Sequence, residues 1–505
     1  MRRVLVAGLL ASVGCGVSER DARPDAPNVL VILADQWRGM DLGCAGNDDV
    51  RTPNLDRLAA EGILYERAFA NAPLCAPSRA QMLTGVHPLR NGVLTNNMEL
   101  LEGVATLPRI LGVHGYRAGY VGKWHLGGFP ELEFVPPGPE RAGFDDLWAV
   151  WGRSHQYFDS WYTTDTPERM PSEGYAPDRQ TDAAIGYLER CAEEDAGPFL
   201  LFVSYGPPHP PFDQVPERHT VAYDAGSLRE RPNVSASSLP GRTDERRRTE
   251  LAQYYAACTA IDENVGRLTA ALDRLGLAQD TIVVFTSDHG GLMGEHGCFN
   301  KQQPFEEAVR IPLVLRWPTR IEAGTRSDVL FSMVDFAPTI LGLLGLAGVE
   351  GADGMEGNDL AWSALGREGE APRSVYLMEL VGLGPMSAHG IHTWRAVRTP
   401  THLYAEDLGG PWLLYDLRED PFQRENLVER EDLEATRGEL ADELRGWYQR
   451  LGERYRSGVE HLHEVGRADV IESLRAIHAR SPDDAELRRA VEYLDEGGSR
   501  TNRRF

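Results

Sequence analysis

Four short stretches of this 505-residue chain set titratable or metal-ligating side chains just after an apolar run. They are Asp35-Gln36, Lys123 with His125, His209, and Asp288-His289. Asp35 and Asp288 are natural oxygen ligands for a hard divalent cation, and Gln36 can add a carbonyl oxygen. His289 contributes nitrogen, which a purely calcium site would not favour, so manganese stays open. Lys123 and His125 lie two apart and share a face if the stretch is extended, so both can address one substrate. Lys301 follows the Asp288 turn and reads either as a second ammonium or as an exposed loop lysine. Each residue alone has a plainer reading: an Asp after a strand is often a cap, and His209 among prolines suits a rigid loop. Together they describe a metal-dependent site for an anion.

One further residue stands apart. In N-A-P-L-C-A-P-S-R-A-Q-M-L-T-G, Asn71 to Gly85, Cys75 has no second cysteine near enough for a CxxC pair or a zinc knuckle.

The elements that must position these groups can be read from the apolar pattern. N-V-L-V-I-L-A-D-Q (Asn28–Gln36), P-F-L-L-F-V-S-Y-G-P-P-H (Pro198–His209) and T-I-V-V-F-T-S-D-H-G-G (Thr281–Gly291) predict fully buried parallel strands. A weaker strand, Tyr116–Val121, leads into Gly122-Lys123-Trp124-His125. Asp244 to Leu275 has helical period and ends near Gly276. Strands alternating with helices imply right-handed crossovers and a mostly parallel α/β sheet with helices on both faces. In such sheets ligands bind beyond the carboxyl ends of the strands, where the candidate residues lie. Past about residue 385, W-R-A-V-R-T, H-L-Y-A-E-D and W-L-L-Y-D-L predict a small antiparallel sheet. From Glu429 the chain is charged and helical, read as a solvated face.

The net charge of −24 argues against a nucleic-acid partner and requires any anion site to concentrate positive charge locally. No internal repeat is visible. The start, M-R-R followed by an apolar run and Gly14-Cys15-Gly16, reads as an export signal over residues 1–15 of lipoprotein type. Residues 16–27 form a linker, 28–385 the main domain, 386–428 the antiparallel subdomain and 429–505 the charged tail. The expected location is the periplasm or cell surface, with membrane attachment only through lipid on Cys15. The other cysteines (44, 75, 191, 258 and 298) are scattered and make no disulfide framework.

The stretch from Cys75 to Gly85 resembles the signature of the type I sulfatases, C-x-P-S-R-x-x-x-L-T-G. The resemblance extends to the Asp35 strand, G-K-W-H (Gly122–His125), the His209 loop, S-D-H-G (Ser287–Gly290), Lys301, and L-Y-D-L-R-E-D-P (Leu414–Pro421). It implies an alkaline-phosphatase-like fold and conversion of Cys75 to formylglycine by a dedicated maturation enzyme. Asp35, Gln36, position 75, Asp288 and His289 would hold one divalent cation, calcium first and manganese or magnesium as alternatives. Arg79 would pin the aldehyde hydrate, and Lys123 and Lys301 would bind sulfate oxygens. His125 or His209 would protonate the leaving oxygen, while the other helps the hydrate's second hydroxyl expel sulfate.

Asp-Gln and Asp-His stand where many members have Asp-Asp and Asp-Asn, variants shared with some sulfatases and with phosphonate monoester hydrolases. The expected activity is therefore hydrolysis of a sulfate ester, of a small molecule or glycan, with phosphonate or phosphate ester hydrolysis as the alternative. A catalytically dead binding protein is disfavoured by retention of Cys75, Arg79, both carboxylates and both lysines. The aromatic run Leu147–Tyr162 predicts either sugar stacking by Trp148 and Trp151 or packing against the core.

Overall fold

The computed structural model describes residues 26–127, 134–151, 155–194, 197–235, 243–381, 393–454 and 460–461. The expected export signal and most of the linker and distal tail lie outside these residues.

An eight-stranded sheet organises the larger part of the chain. Its strands are β1 (Asn28–Asp35), β2 (Ile63–Tyr65), β3 (Arg117–Gly122), β4 (Leu147–Val150), β5 (Phe199–Pro208), β6 (Thr281–Ser287), β7 (Leu313–Arg316) and β8 (Thr325–Ser327). The order across the sheet is β8-β2-β7-β6-β1-β5-β3-β4. β1 pairs in parallel with both β5 and β6, β3 in parallel with β4 and β5, and β7 alone runs antiparallel to its neighbours. The mixed α/β class expected from the alternation is the observed one.

Alternation along β1 explains why it reads as an unbroken apolar run. Val29, Val31 and Leu33 enter one core and Leu30, Ile32 and Ala34 the other, because successive side chains leave opposite faces. Helix α1 (Cys75–Thr84) is wholly buried on the first side. On the second, α2 (Ala176–Glu194) and α3 (Asp244–Arg274) pack against β5. Thr243 caps α3, accepting the Arg246 N–H at 3.2 Å, and Asp244 and Glu245 complement the helix dipole in the first turn. No helix among the described residues is long and apolar enough to cross a membrane.

The C-terminal sheet is a four-stranded antiparallel meander: β9 (Val375–Glu379), β10 (Trp394–Arg398), β11 (His402–Asp407) and β12 (Gly410–Asp416). It begins ahead of the sequence-based boundary at residue 386, because V-Y-L-M-E pairs with β10 along its whole length. Helix α4 (Glu434–Leu451) departs from the solvated face expected of it. It buries Leu440 and Leu444, spaced one turn apart, and stacks Trp447 on Tyr376 with centroids 5.6 Å apart. Each buried leucine contributes about 1.5–3 kcal/mol, enough to dock an otherwise charged helix.

The aromatic run is also core. Trp148 and Trp151 are each 4 % exposed. Trp148 packs edge-on against Trp124 and beneath the Arg141 guanidinium, and Trp151 stacks on Tyr162. The sugar-stacking reading of these two residues is thereby excluded. β4 is the outer strand of the sheet, and the two rings close the core on its opposite faces.

Candidate active site

The sheet delivers its chemistry at the carboxyl ends of β1, β3, β5 and β6. Asp35 ends β1 and is fully buried. Gln36 follows in the left-handed region (φ 67), a conformation costly for a non-glycine residue and typical of functional turns. Asp288 follows β6, its N–H donating to Ala34 O at 3.2 Å across the β1–β6 pair. Cys75 opens α1 and points at both carboxylates, with donor atoms of Asp35, Cys75, Asp288 and His289 all within 4.8 Å of one another.

Cys75 Sγ lies 3.2 Å from His289 Nε2, 3.1 Å from Lys301 Nζ, and 3.7 Å from both Lys123 Nζ and Asp35 Oδ1. Lys123 also donates to Asp35 Oδ2. Burial and the Asp35 charge push the Cys75 thiol up, but Lys123, Lys301 and His289 outweigh them and hold it below the usual thiol range. Burial likewise opposes ionisation of Asp35, yet Lys123, then His209, Lys301 and Arg79, keep it well below the usual carboxylate range. Burial disfavours the Lys123 ammonium, and Asp35 and Cys75 reverse that and raise it. An acidic protein thus concentrates three buried cations at one point.

His289 has its ring fixed by Nδ1–H donation to Gly290 O at 2.7 Å, which turns Nε2 toward Cys75 and Asp35. Gly291 allows the close approach of Gln36, since a Cβ there would sit 2.7 Å from Gln36 Nε2. Gln36 Oε1 is buried and has no hydrogen-bond partner. Two carboxylates, an imidazole nitrogen and an unpaired amide oxygen form a donor set that fits a divalent cation.

Arg79 holds the carboxylate side of this set. Its Nε donates to Asp288 Oδ2 at 2.9 Å, and Nη1 donates to Lys123 O and Ser204 Oγ at 2.9 and 2.7 Å. Nη2 stands 2.9 Å from the same Asp288 oxygen and 3.6 Å from Asp35 Oδ2 without an aligned acceptor. Lys123 leaves β3 at Gly122, whose φ of 110 and position 2.0 Å (Cβ to O) from the Ser204 carbonyl admit no side chain. The Lys123 carbonyl accepts from Arg79, Tyr120 and Ser204. Ser204 and Tyr120 were not foreseen; the one signal for Ser204 was a polar residue inside an apolar, buried strand, which must find a partner.

His125 and His209 flank this cluster without a hydrogen bond to Cys75. His125 adopts φ 61, is 5 % exposed, and neither ring nitrogen has a hydrogen-bond partner. Burial, then Lys123 and Arg79, hold its pKa well below the usual histidine range. His209, just past β5, is lowered by burial and then Lys301. Its Nδ1 meets Pro210 O at 2.6 Å, and its ring stacks on His155 at 4.3 Å, a neighbour that spacing alone could not reveal. The five described cysteines all carry free thiols.

A cleft of about 760 Å³ opens beside Gln36, His155 and Asn300. Phe212 and Phe299 give it an apolar side, and Arg246, Thr249 and Gln253 on α3 give it a polar one.

An α/β sheet with a cationic, metal-competent site at its strand ends defines an esterase-type hydrolase acting on an anionic group. Residues 27–346 match the Sulfatase family, and residues 294–450 match N-sulphoglucosamine sulphohydrolase, C-terminal. The ulvan-active sulfatase of Formosa agariphila is 35 % identical over 443 residues, covering 87 % of this chain and 84 % of the relative. The N-acetylglucosamine-6-O-sulfatase of Bacteroides thetaiotaomicron is 28 % identical over 515 residues, with 86 % and 88 % covered. The crystal structure of the phosphonate monoester hydrolase of Agrobacterium radiobacter superposes with a TM-score of 0.69 at 26 % identity, covering 84 % of this chain and 96 % of that one. The chain belongs to the sulfatase family of the alkaline phosphatase superfamily and is a sulfuric ester hydrolase.

Proposed function

We propose that this sulfatase removes a sulfate ester from a carbohydrate, with position 75 as formylglycine. The observation that carries the reading is the placement of Cys75 between Lys123, Lys301 and the Asp35–Asp288–His289 set, next to an amphipathic cleft that Gln36 lines. A sugar ring has apolar C–H faces and a polar rim, and the Phe212/Phe299 and Thr249/Gln253 sides of the cleft suit each. The named relatives, one ulvan-active and one an N-acetylglucosamine-6-O-sulfatase, support a carbohydrate substrate.

Asp35, Gln36, Asp288 and His289 would hold the divalent cation, with calcium as first choice given the oxygen donors, and manganese or magnesium as alternatives. When bound, such an ion supplies Lewis-acid polarisation at the ester and at residue 75. Lys123 and Lys301 bind the sulfate oxygens and offset charge that builds there during transfer. Arg79 fixes Asp288 and offers its unaligned Nη2–H to an oxygen at position 75. His125, buried, and His209, half-buried, both neutral beside the cations, take the proton-transfer roles, one toward the leaving oxygen and one toward residue 75.

A second reading, phosphonate or phosphate ester hydrolysis, is favoured by the likeness to the Agrobacterium enzyme and by the Gln36 and His289 variants. Sulfate and phosphate release should be measured in parallel from matched aryl esters and from sulfated sugars. Faster phosphate than sulfate release would overturn the primary reading, and aryl turnover without any sugar turnover would overturn the carbohydrate assignment. The same reading puts the enzyme outside the cytoplasm, matured by a formylglycine-generating enzyme and anchored by lipid on Cys15. Labelled palmitate incorporated equally by wild type and Cys15→Ala would exclude that anchor.

A further inference from the structure

Lys301 sits in irregular chain, between the short strand Phe299–Asn300 and Gln302, whose φ is 69. Nothing in its own backbone fixes an ammonium group 3.1 Å from Cys75 Sγ. Lys123 differs, since it leaves a strand paired on both sides and is tied to Asp35. What holds the Lys301 loop is its neighbour. Gln302 N–H donates to Pro73 O at 3.2 Å, joining the loop to the segment before Cys75. Gln302 O accepts the Trp394 indole N–H, and Gln302 Nε2 donates to Glu379 Oε2, each at 3.0 Å.

Glu379 and Trp394 face each other across the β9–β10 pair, so a single rung of the C-terminal sheet grips Gln302 from two sides. The Glu379 carboxylate is itself pinned, with Oε1 accepting Val381 N–H at 3.2 Å. Gln302, Glu379 and Trp394 are 0, 3 and 1 % exposed, so water does not compete for these bonds.

We propose that Glu379 and Trp394 are positioning residues for Lys301: the C-terminal sheet acts on the reaction by clamping Gln302 and thereby holding the lysine against residue 75. This rests on the reading of Lys301 as a sulfate-binding group. It assigns the C-terminal subdomain a part in the chemistry although none of its described residues touches Cys75. Displacing a charged group by about 1 Å can cost two orders of magnitude in rate, so small losses in the clamp are measurable.

A double-mutant cycle tests it, using Trp394→Phe, which keeps the ring and removes the N–H, and Glu379→Gln, which keeps the volume. Each should lower kcat/KM for a sulfate ester by about tenfold in the wild type but by less than about twofold in Lys301→Ala. The inhibition constant of inorganic sulfate should rise in the single variants toward that of Lys301→Ala. Equal losses in both backgrounds, or no loss in the wild type, would overturn the proposal. Full activity of Lys301→Ala would instead overturn the reading of the lysine itself. The two variants remove independent bonds, so one that fails to fold leaves the other decisive.

Discussion

Arg79 and Asp288 are joined through one oxygen, with Nε and Nη2 of the arginine each 2.9 Å from Oδ2 of the aspartate. The other oxygen, Oδ1, accepts the backbone N–H groups of Gln36 and His289 at 3.1 and 2.9 Å. Both oxygens of this carboxylate therefore also hold either an arginine or the turns that carry two further candidate ligands. Breaking a fully buried ion pair from one side strands the other charge, at a cost of about 3–5 kcal/mol. Arg79→Met should lose that much stability by urea midpoint and, in addition, bind the cation more weakly by calorimetry. Unchanged cation affinity would mean that Arg79 does not organise the ligand set.

Removing the cation should itself be visible without any assay of turnover. A ligand present at about a hundredfold its Kd stabilises the folded state by about 2.7 kcal/mol. Chelation should lower Tm, and titration with calcium, manganese and magnesium should rank the ions by the shift each restores. In Asp35→Asn the shift should vanish, and its persistence would place the ion elsewhere.

His125 makes stability depend on pH in a definite direction. Its native-state pKa lies well below the usual value, because burial, then Lys123 and Arg79, disfavour the imidazolium. The unfolded chain therefore binds a proton near pH 6.5 that the folded chain refuses, and stability rises with pH through that window. The contribution is complete above about pH 6.5 and falls by about 1.4 kcal/mol per unit as pH drops toward the native-state value. His125→Gln should flatten this part of the profile in urea unfolding, whereas an unaltered slope would refute the assignment.

Phe212 and Trp148 should separate by substrate. Trp148→Ala creates a core cavity and should cost about 3–5 kcal/mol while affecting all substrates alike. Phe212→Ala, half-buried in the cleft wall against Tyr254, should cost less stability than Trp148→Ala and raise KM for a sulfated sugar but not for a small aryl sulfate. Equal KM changes for both substrates would mean that the sugar does not lie against Phe212.

The central sheet was legible because strands buried on both faces must be apolar throughout, and Asp35, Lys123, His209 and Asp288 stand where that requirement ends. The cysteine signature was legible as a local pattern. What stayed open or went unread is what local pattern does not encode. The run around Trp148 and Trp151 is as aromatic as a sugar platform, but only the fold shows that the two rings enter the cores on opposite faces of the sheet. The α4 stripe was present as Leu440, Leu444 and Trp447, at helical spacing, and was masked by the charges between them. Glu379, Trp394 and Gln302 are far apart in sequence, and no short window connects them.

Cys75 is 1 % exposed, at the first residue of a helix buried along its entire length. Any enzyme that oxidises this side chain must take hold of the surrounding peptide, which the folded chain does not release. If residue 75 is matured as proposed, modification and folding would be in a race on each newly made molecule, settled when α1 docks. A chain that folded first would be a well-packed protein whose thiol is walled off from the maturation enzyme. Specific activity in a preparation would then report the supply of the maturation system during synthesis, while the purity and melting of the sample would give no warning.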